Sequence, residues 1–238
     1  MEALEELIGF LRPDTRIDVK SLALHHILSM TGTVDSKKLL IKNGKVISDL
    51  ILLAFRKNEQ KAINKDSIFS LINLCTDEND ALKIMEKNPI LVPMLIDSIL
   101  DENCAYADAL CAILSNLSRG KKNCEIIFEK YFLENKNSTN NDSNNNCKND
   151  EKRTSNEKFE KLLKVFCTEN FNKTNDLNYL APFLCNLTQL ESVRNLILGD
   201  VSLIQRLLPY TTYKKSDIRR GGILGCIKNC CFNYGKFY

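Results

Sequence analysis

Glycine and proline are scarce in this sequence, nine and five of 238 residues. An all-β chain needs turn residues at intervals of roughly 8–12 positions, so the shortage excludes that class and favours helices. Histidine is scarcer still: His25 and His26 sit in the helical run LALHHILSM, where at most one can face a core, and a packed structural role is expected. No apolar run reaches 18 residues, and the opening MEALEELIGF is acidic. Neither a membrane-spanning helix nor a secretory signal is therefore visible, and the expectation is an intracellular protein. The net charge is +3, well short of the strongly basic surface of a general nucleic-acid binder.

Cysteine is not scarce. Ten of them in a short secreted chain would suggest a disulfide framework, but here they come without a secretion signal and several fall within apolar helical patterns. Reduced thiols packed as small hydrophobes are expected. A zinc site at Cys226, Cys230 and Cys231 lacks a fourth ligand nearby and the paired spacing that zinc favours. The reading is no metal and no cofactor.

What the sequence does contain is repetition. The frame Leu, any residue, Asn, Leu, small residue runs from Leu71 to Cys75, from Leu114 to Ser118 and from Leu184 to Thr188, and GCIKNCCF gives a fourth, looser copy around Asn229. Asn73 and Asn116 are 43 positions apart, as are Asn186 and Asn229; Asn116 and Asn186 are 70 apart. The excess over one period is 27, close to the 25 residues of the segment 134–158, ENKNSTNNDSNNNCKNDEKRTSNEK. One period before Asn73 stands Met30, which keeps Leu28 and the small residues but not the amide. Asn is a poor helix former, so its return in a fixed frame needs a cause. A period of this length belongs to helical solenoids, whose units of two or three helices bury their apolar faces against one another. The expected fold is all-α, a helical solenoid of about five repeats of period 43. Its boundaries are repeats over 1–133, an insertion over 134–158 and further repeats over 159–238.

The insertion has nine Asn, little apolar content and no periodicity, the composition of a disordered surface loop. Along the rest, Asp18 is expected to cap the first inner helix, Asp66 or Ser67 the second, and Asn43-Gly44 to separate two short helices. Pro182 must start or bend its helix. Residues 205–238 carry seven basic side chains against Asp217 alone, so one end of the solenoid is basic.

The frame resembles the third helix of armadillo repeats. The segments FLRPDTRIDVKSLALHHILSMTG, ILSNLSR, PFLCNLTQ and above all DIRRGGILGCIKNCCF resemble the armadillo-type family called brain protein sixteen. The likeness spans most of the chain outside 134–158, and it implies a right-handed armadillo/HEAT-like solenoid acting as a cytosolic adaptor in the folding of translation elongation factor 2. The partners it implies are elongation factor 2 and the cytosolic chaperonin or other chaperones, with no nucleic acid and no membrane. A monomer in the cytoplasm, with the nucleus as a second compartment, is expected. Members of that family continue past the Arg-Arg-Gly-Gly segment, so this chain is expected to be a C-terminally truncated form; the Asn-rich loop is longer than the family pattern requires.

In armadillo proteins the frame asparagine faces the concave groove, where its amide can match the backbone of an extended partner. The resemblance therefore places Asn73, Asn116, Asn186 and Asn229 in a partner groove, together with Arg119, Arg219, Arg220 and Lys228. The alternative for the asparagines is a bond to a neighbouring helix end that fixes the stacking of repeats. For Arg219 and Arg220 the choice is between gripping a carboxylate-rich segment and forming a solvated face, with Gly221-Gly222 supplying a turn before the last helix. No nucleophile elbow, phosphate loop or metal cluster is present in the sequence, so the chain reads as a binding module rather than an enzyme. The alternative function is a generic armadillo scaffold or a cargo adaptor for an extended acidic segment. Cargo recognition of the nuclear-transport type calls for Trp beside each groove Asn, and this chain has no Trp.

Overall fold

The computed structural model describes residues 2–133 and 157–232. Among them are fourteen α-helices, one short 3-10 helix and no strand. The opening pair is α1 (Glu2–Gly9) and α2 (Ile17–Met30). Four units of three helices follow. They are α3 (Val34–Lys42), α4 (Gly44–Phe55) and α5 (Lys61–Leu74); α6 (Glu78–Lys87), α7 (Leu91–Ile99) and α8 (Ala107–Leu117); α9 (Lys121–Tyr131), α10 (Glu157–Phe166) and α11 (Leu180–Leu187); and α12 (Glu191–Gly199), α13 (Val201–Leu207) and α14 (Asp217–Cys231), with the 3-10 turn Leu208–Thr212 between the last two. The third helices form the spine: α2 packs on α5, α5 on α8, α8 on α11 and α11 on α14. This is the expected solenoid.

The frame leucines explain the stacking. Leu71, Leu74, Leu114, Leu117, Leu184 and Leu187 are all essentially fully buried, because residues three apart share one helical face and that face meets the rest of its own unit. Five residues before each frame asparagine, Ile68, Cys111 and Ala181 are buried, whereas the equivalent Leu224 on α14 is 47% exposed. The third unit is joined by rings: Phe159 of α10 stands edge-on to Phe128 and Phe132 at centroid distances of 5.8 and 5.7 Å. Aromatic edges of this kind hold α9 and α10 together across the Asn-rich segment.

Asn43 separates α3 from α4 as read from the sequence, and Pro182 lies in the first turn of α11, where a missing N–H costs nothing. Several local expectations need correction. The first inner helix starts at Ile17 after Arg16; Asp18 is already in its first turn and pairs with Arg16 at 2.6 Å. The second starts at Lys61, so Asp66 and Ser67 are interior, and Ser67 donates back to the Ile63 carbonyl at 2.8 Å. His25 and His26 are both exposed. Gly221 and Gly222 form no turn: they lie inside α14, which is capped by Ser216 accepting from the Arg219 N–H. The expected disordered segment 134–158 lies outside the described residues apart from Glu157 and Lys158, with which α10 opens.

The role of Gly222 is close approach. A Cβ there would collide with the Ala181 carbonyl carbon and the Pro182 nitrogen, and one at Gly225 would strike the Cys185 sulfur. The two glycines let the backbones of α14 and α11 come together.

Candidate functional site

The frame asparagines build a ladder between units. Asn73 Nδ2 donates to Thr31 Oγ1 at 2.8 Å and Asn116 Nδ2 to the Ile72 carbonyl at 3.1 Å. Asn186 Nδ2 donates to the Ser115 carbonyl and Ser118 Oγ at 3.0 and 3.1 Å. Asn229 Nδ2 repeats the pattern one unit on, to the Cys185 carbonyl and Thr188 Oγ1 at 3.2 and 3.0 Å. Every acceptor belongs to the same frame of the preceding unit, and the hydroxyls donate in turn to their own helices, as Thr188 Oγ1 does to the Cys185 carbonyl at 2.7 Å. A carbonyl in the last turn of a helix has lost its intrahelical partner, so the amides of Asn116, Asn186 and Asn229 close the helix ends before them, while that of Asn73 reaches a hydroxyl. Asn186 and Asn229 thereby commit both amide N–H groups within the chain, and Asn73 and Asn116 one each. Among the described residues no hydrogen bond reaches the side-chain oxygens of these four asparagines.

A second row runs three residues further along. Arg119 Nη1 donates to the Thr76 carbonyl at 3.0 Å, and Gln189 Nε2 to the Arg119 carbonyl at 3.1 Å. Arg119 is exposed and also lines the groove.

The groove itself is a depression of about 530 Å³ across α5, α8 and α11. Phe69 and Tyr179 stand on either side of it, 40% and 38% exposed, over a floor that includes Ala109, Ala112 and Asn116. At its edge the Asp108 carboxylate lies against the backbone N–H groups of Asn178 and Tyr179, where α11 begins. Burial nevertheless pushes its pKa above the ordinary carboxylate value. Phe69, Tyr179, Ala109, Ala112 and Asp108 were not signalled by the repeat frame; the small-against-bulky alternation at matching positions is the signal that marks them.

The basic end departs most from expectation. Arg219 fits neither the partner-gripping nor the solvated reading, because it is 6% exposed. Its guanidinium donates to the Asp176 carbonyl at 2.6 Å and to the Phe166 carbonyl, and it lies 4.2 and 4.4 Å from the ring centroids of Phe166 and Tyr210. A delocalised, weakly hydrated cation suits such an aromatic slot, and here it ties α14 to the end of α10 and to the segment before α11. Arg220 pairs with Asp217 at 2.8 Å and donates to the Tyr213 carbonyl at 3.1 Å. Lys228 is exposed.

Cys226 and Cys230 are buried on α14 while Cys231 faces out. Burial pushes the Cys75 and Cys124 thiols up to about 12, which makes them poor nucleophiles at neutral pH. Among the described residues no group of three or more His, Cys, Asp or Glu is placed to hold a metal, and no helix is long and apolar enough to cross a membrane.

Stacked three-helix units joined by a side-chain amide ladder, with a groove over the third helices, define an armadillo-type helical-repeat protein. Solved structures agree on the fold: an engineered protein aligns with a TM-score of 0.67 at 13% identity over 96% of this chain and 81% of its own. Computationally designed armadillo repeat proteins for modular peptide recognition align with a TM-score of 0.66 at 12% identity over 96% and 82%. Residues 98–236 match the family described as a domain of unknown function, DUF383, and the chain belongs to that family. Relatives named Protein HGH1 homolog include one from Danio rerio, 37% identical over 97% of this chain and 55% of its own length, and one from Homo sapiens, 30% identical over 96% and 53%. The chain thus spans little more than half the length of these relatives.

Proposed function

We propose that this chain is a non-catalytic adaptor that holds a segment of a client protein in the groove over α5, α8 and α11, and that the client is translation elongation factor 2 during its folding, in the cytoplasm. The observation that carries the binding reading is the groove: two large aromatic side chains, Phe69 and Tyr179, are left exposed on facing walls of one depression. Exposed apolar surface gathered in a concavity marks a binding site more often than a bare surface. The designed armadillo proteins of the same fold serve peptide recognition, which supports this use of the groove. The identity of the client rests on the resemblance of DIRRGGILGCIKNCCF and its companion segments to the elongation-factor adaptors.

The alternative, a cargo adaptor for an acidic segment at the basic end, loses Arg219 to the interior but retains Arg220 and Lys228. Affinity purification of the tagged intact chain followed by mass spectrometry tests both. Enrichment of elongation factor 2 with the cytosolic chaperonin is the expected result. Recovery of unrelated partners alone would overturn the client assignment.

A further inference from the structure

The groove has a hollow floor whose position is set by the repeat. Counting back four residues from the frame asparagine gives Phe69 on α5, Ala112 on α8 and Pro182 on α11; counting back seven gives Ala109 on α8 and Tyr179 at the N-cap of α11. All five line the same depression of about 530 Å³. Where α8 carries two alanines, one turn of helix is stripped to its methyl groups between bulkier neighbours. The depression exceeds a single side chain, leaving room for the backbone that would carry it.

The polar chemistry of the floor is unusual in a second way. Asn186 commits both amide N–H groups, to the Ser115 carbonyl and the Ser118 hydroxyl, and Asn116 commits one of its two to the Ile72 carbonyl, so the groove offers methyls, rings and side-chain oxygens with the second Asn116 N–H rather than a row of free amide donors. At one edge stands Asp108, half-buried and, among the described residues, in no ion pair. At the other stands Arg119, eleven residues on and so about 16 Å along the helix, its guanidinium engaged with the Thr76 carbonyl.

We infer that this hollow is a side-chain pocket that takes one bulky apolar residue, Leu, Met or Phe, from an extended segment of the partner, with a Lys or Arg beside it facing Asp108. The inference rests on the groove reading above and deepens it by naming what the groove selects. The floor methyls gain from covering by apolar atoms and nothing from a charged group, and the Phe69 ring already has a cation beside it, Lys65 Nζ at 5.7 Å from its centroid. A basic neighbour is attracted to the Asp108 carboxylate, which has backbone N–H groups against it but no ion pair among the described residues, while an acidic one is repelled by it. Selection therefore comes from side chains, and the stacked asparagines keep the pocket in shape.

A phage library of random heptapeptides, selected on the purified intact chain, tests this without reference to any client. The expected enrichment is a bulky apolar residue next to, or one removed from, Lys or Arg. A fluorescein-labelled copy of an enriched peptide should bind Ala112→Phe, which fills the hollow, and Tyr179→Ala, which removes a wall, at least about tenfold more weakly by anisotropy. Asp108→Asn should keep the apolar preference and lose the basic one. Circular dichroism and melting curves select the variants that are folded, and Tyr179→Ala carries the test where Ala112→Phe does not fold. No enrichment, enrichment of acidic peptides without an apolar residue, or binding unchanged in both variants would overturn the pocket. Elongation factor 2 bound equally by the wild type and Ala112→Phe would leave the adaptor reading intact and overturn the pocket alone; an enriched apolar-basic motif without recovery of elongation factor 2 would do the reverse.

Discussion

The side-chain amide of Asn186 reaches Ser118 Oγ at 3.1 Å although the two are 68 positions apart, with the whole Asn-rich segment between them. The same nitrogen contacts the Ser115 carbonyl, so one residue docks the third unit on the second with two hydrogen bonds. Net contributions of about 0.5–1.5 kcal/mol per bond place the cost of Asn186→Ala at roughly 1–3 kcal/mol in urea unfolding. Asn186→Asp should cost more, because it substitutes a carboxylate for a donor opposite a carbonyl. An Ala variant as stable as the parent would show the ladder to be incidental.

Arg219 should be irreplaceable by lysine. An ammonium cannot reach the Phe166 and Asp176 carbonyls together or stack flat on Tyr210, and hydrogen bonds from charged groups are worth roughly 1.5–3 kcal/mol. Arg219→Lys should lower the unfolding free energy by an amount in that range, read as a lower thermal midpoint. Arg220→Lys, on a half-exposed side chain with a surface ion pair, should change stability by less than about 1 kcal/mol.

Adjacent glycines should respond with opposite signs. At Gly221 a Cβ meets nothing within 4 Å, so Gly221→Ala should stabilise by up to about 1 kcal/mol through helix propensity. At Gly222 the added methyl strikes the α11 backbone, and Gly222→Ala should destabilise by roughly 1–3 kcal/mol as overpacking does. Equal effects at the two positions, measured by chemical denaturation, would contradict the close approach of α14 and α11.

Replacing residues 134–156 by a short Gly-Ser linker should leave the melting temperature near that of the parent. The flanks are joined by the ring contacts of Phe159 with Phe128 and Phe132, and each halving of a loop changes closure cost by only about 0.6 kcal/mol. Loss of a single cooperative transition in the replaced chain would refute this.

Asp108 predicts a direction of pH dependence. Its pKa is raised in the folded chain, chiefly by burial, so the folded state holds the proton more tightly than the unfolded one. Its contribution therefore favours folding at low pH and declines as pH rises from the ordinary carboxylate range through the raised value. Asp108→Asn should remove that decline, seen as a flatter stability profile between acid and neutral pH. A profile identical to the parent would assign the dependence elsewhere.

The sequence disclosed the solenoid because a period is a global property: five frames at one spacing imply five stacked units, and the leucines at frame positions are the buried ones. It disclosed the asparagines but not their partners. The residues that close the frame read as merely small, yet it is the hydroxyls of Thr31, Ser118 and Thr188 that accept the amides, a feature that chemical type rather than size would have revealed. Arg219 was illegible because a charged side chain in a basic stretch reads as surface; its aromatic slot is assembled from Phe166, Tyr210 and Tyr213, up to 53 residues away. Gly221-Gly222 read as a turn, and what makes Gly222 a close contact instead is Ala181-Pro182 on another helix. The pocket residues Ala109 and Ala112 fill ordinary helical positions and acquire meaning only beside Phe69 and Tyr179.

The ladder has a direction. Each amide is bound by the unit before it, and Met30 occupies the place where α2 would carry a backward-pointing amide. In a chain whose stability is a sum of nearest-neighbour terms, each rung is shared by the two units it joins and is lost whichever of them opens, so the ladder acts as a mutual latch that makes adjacent units open together.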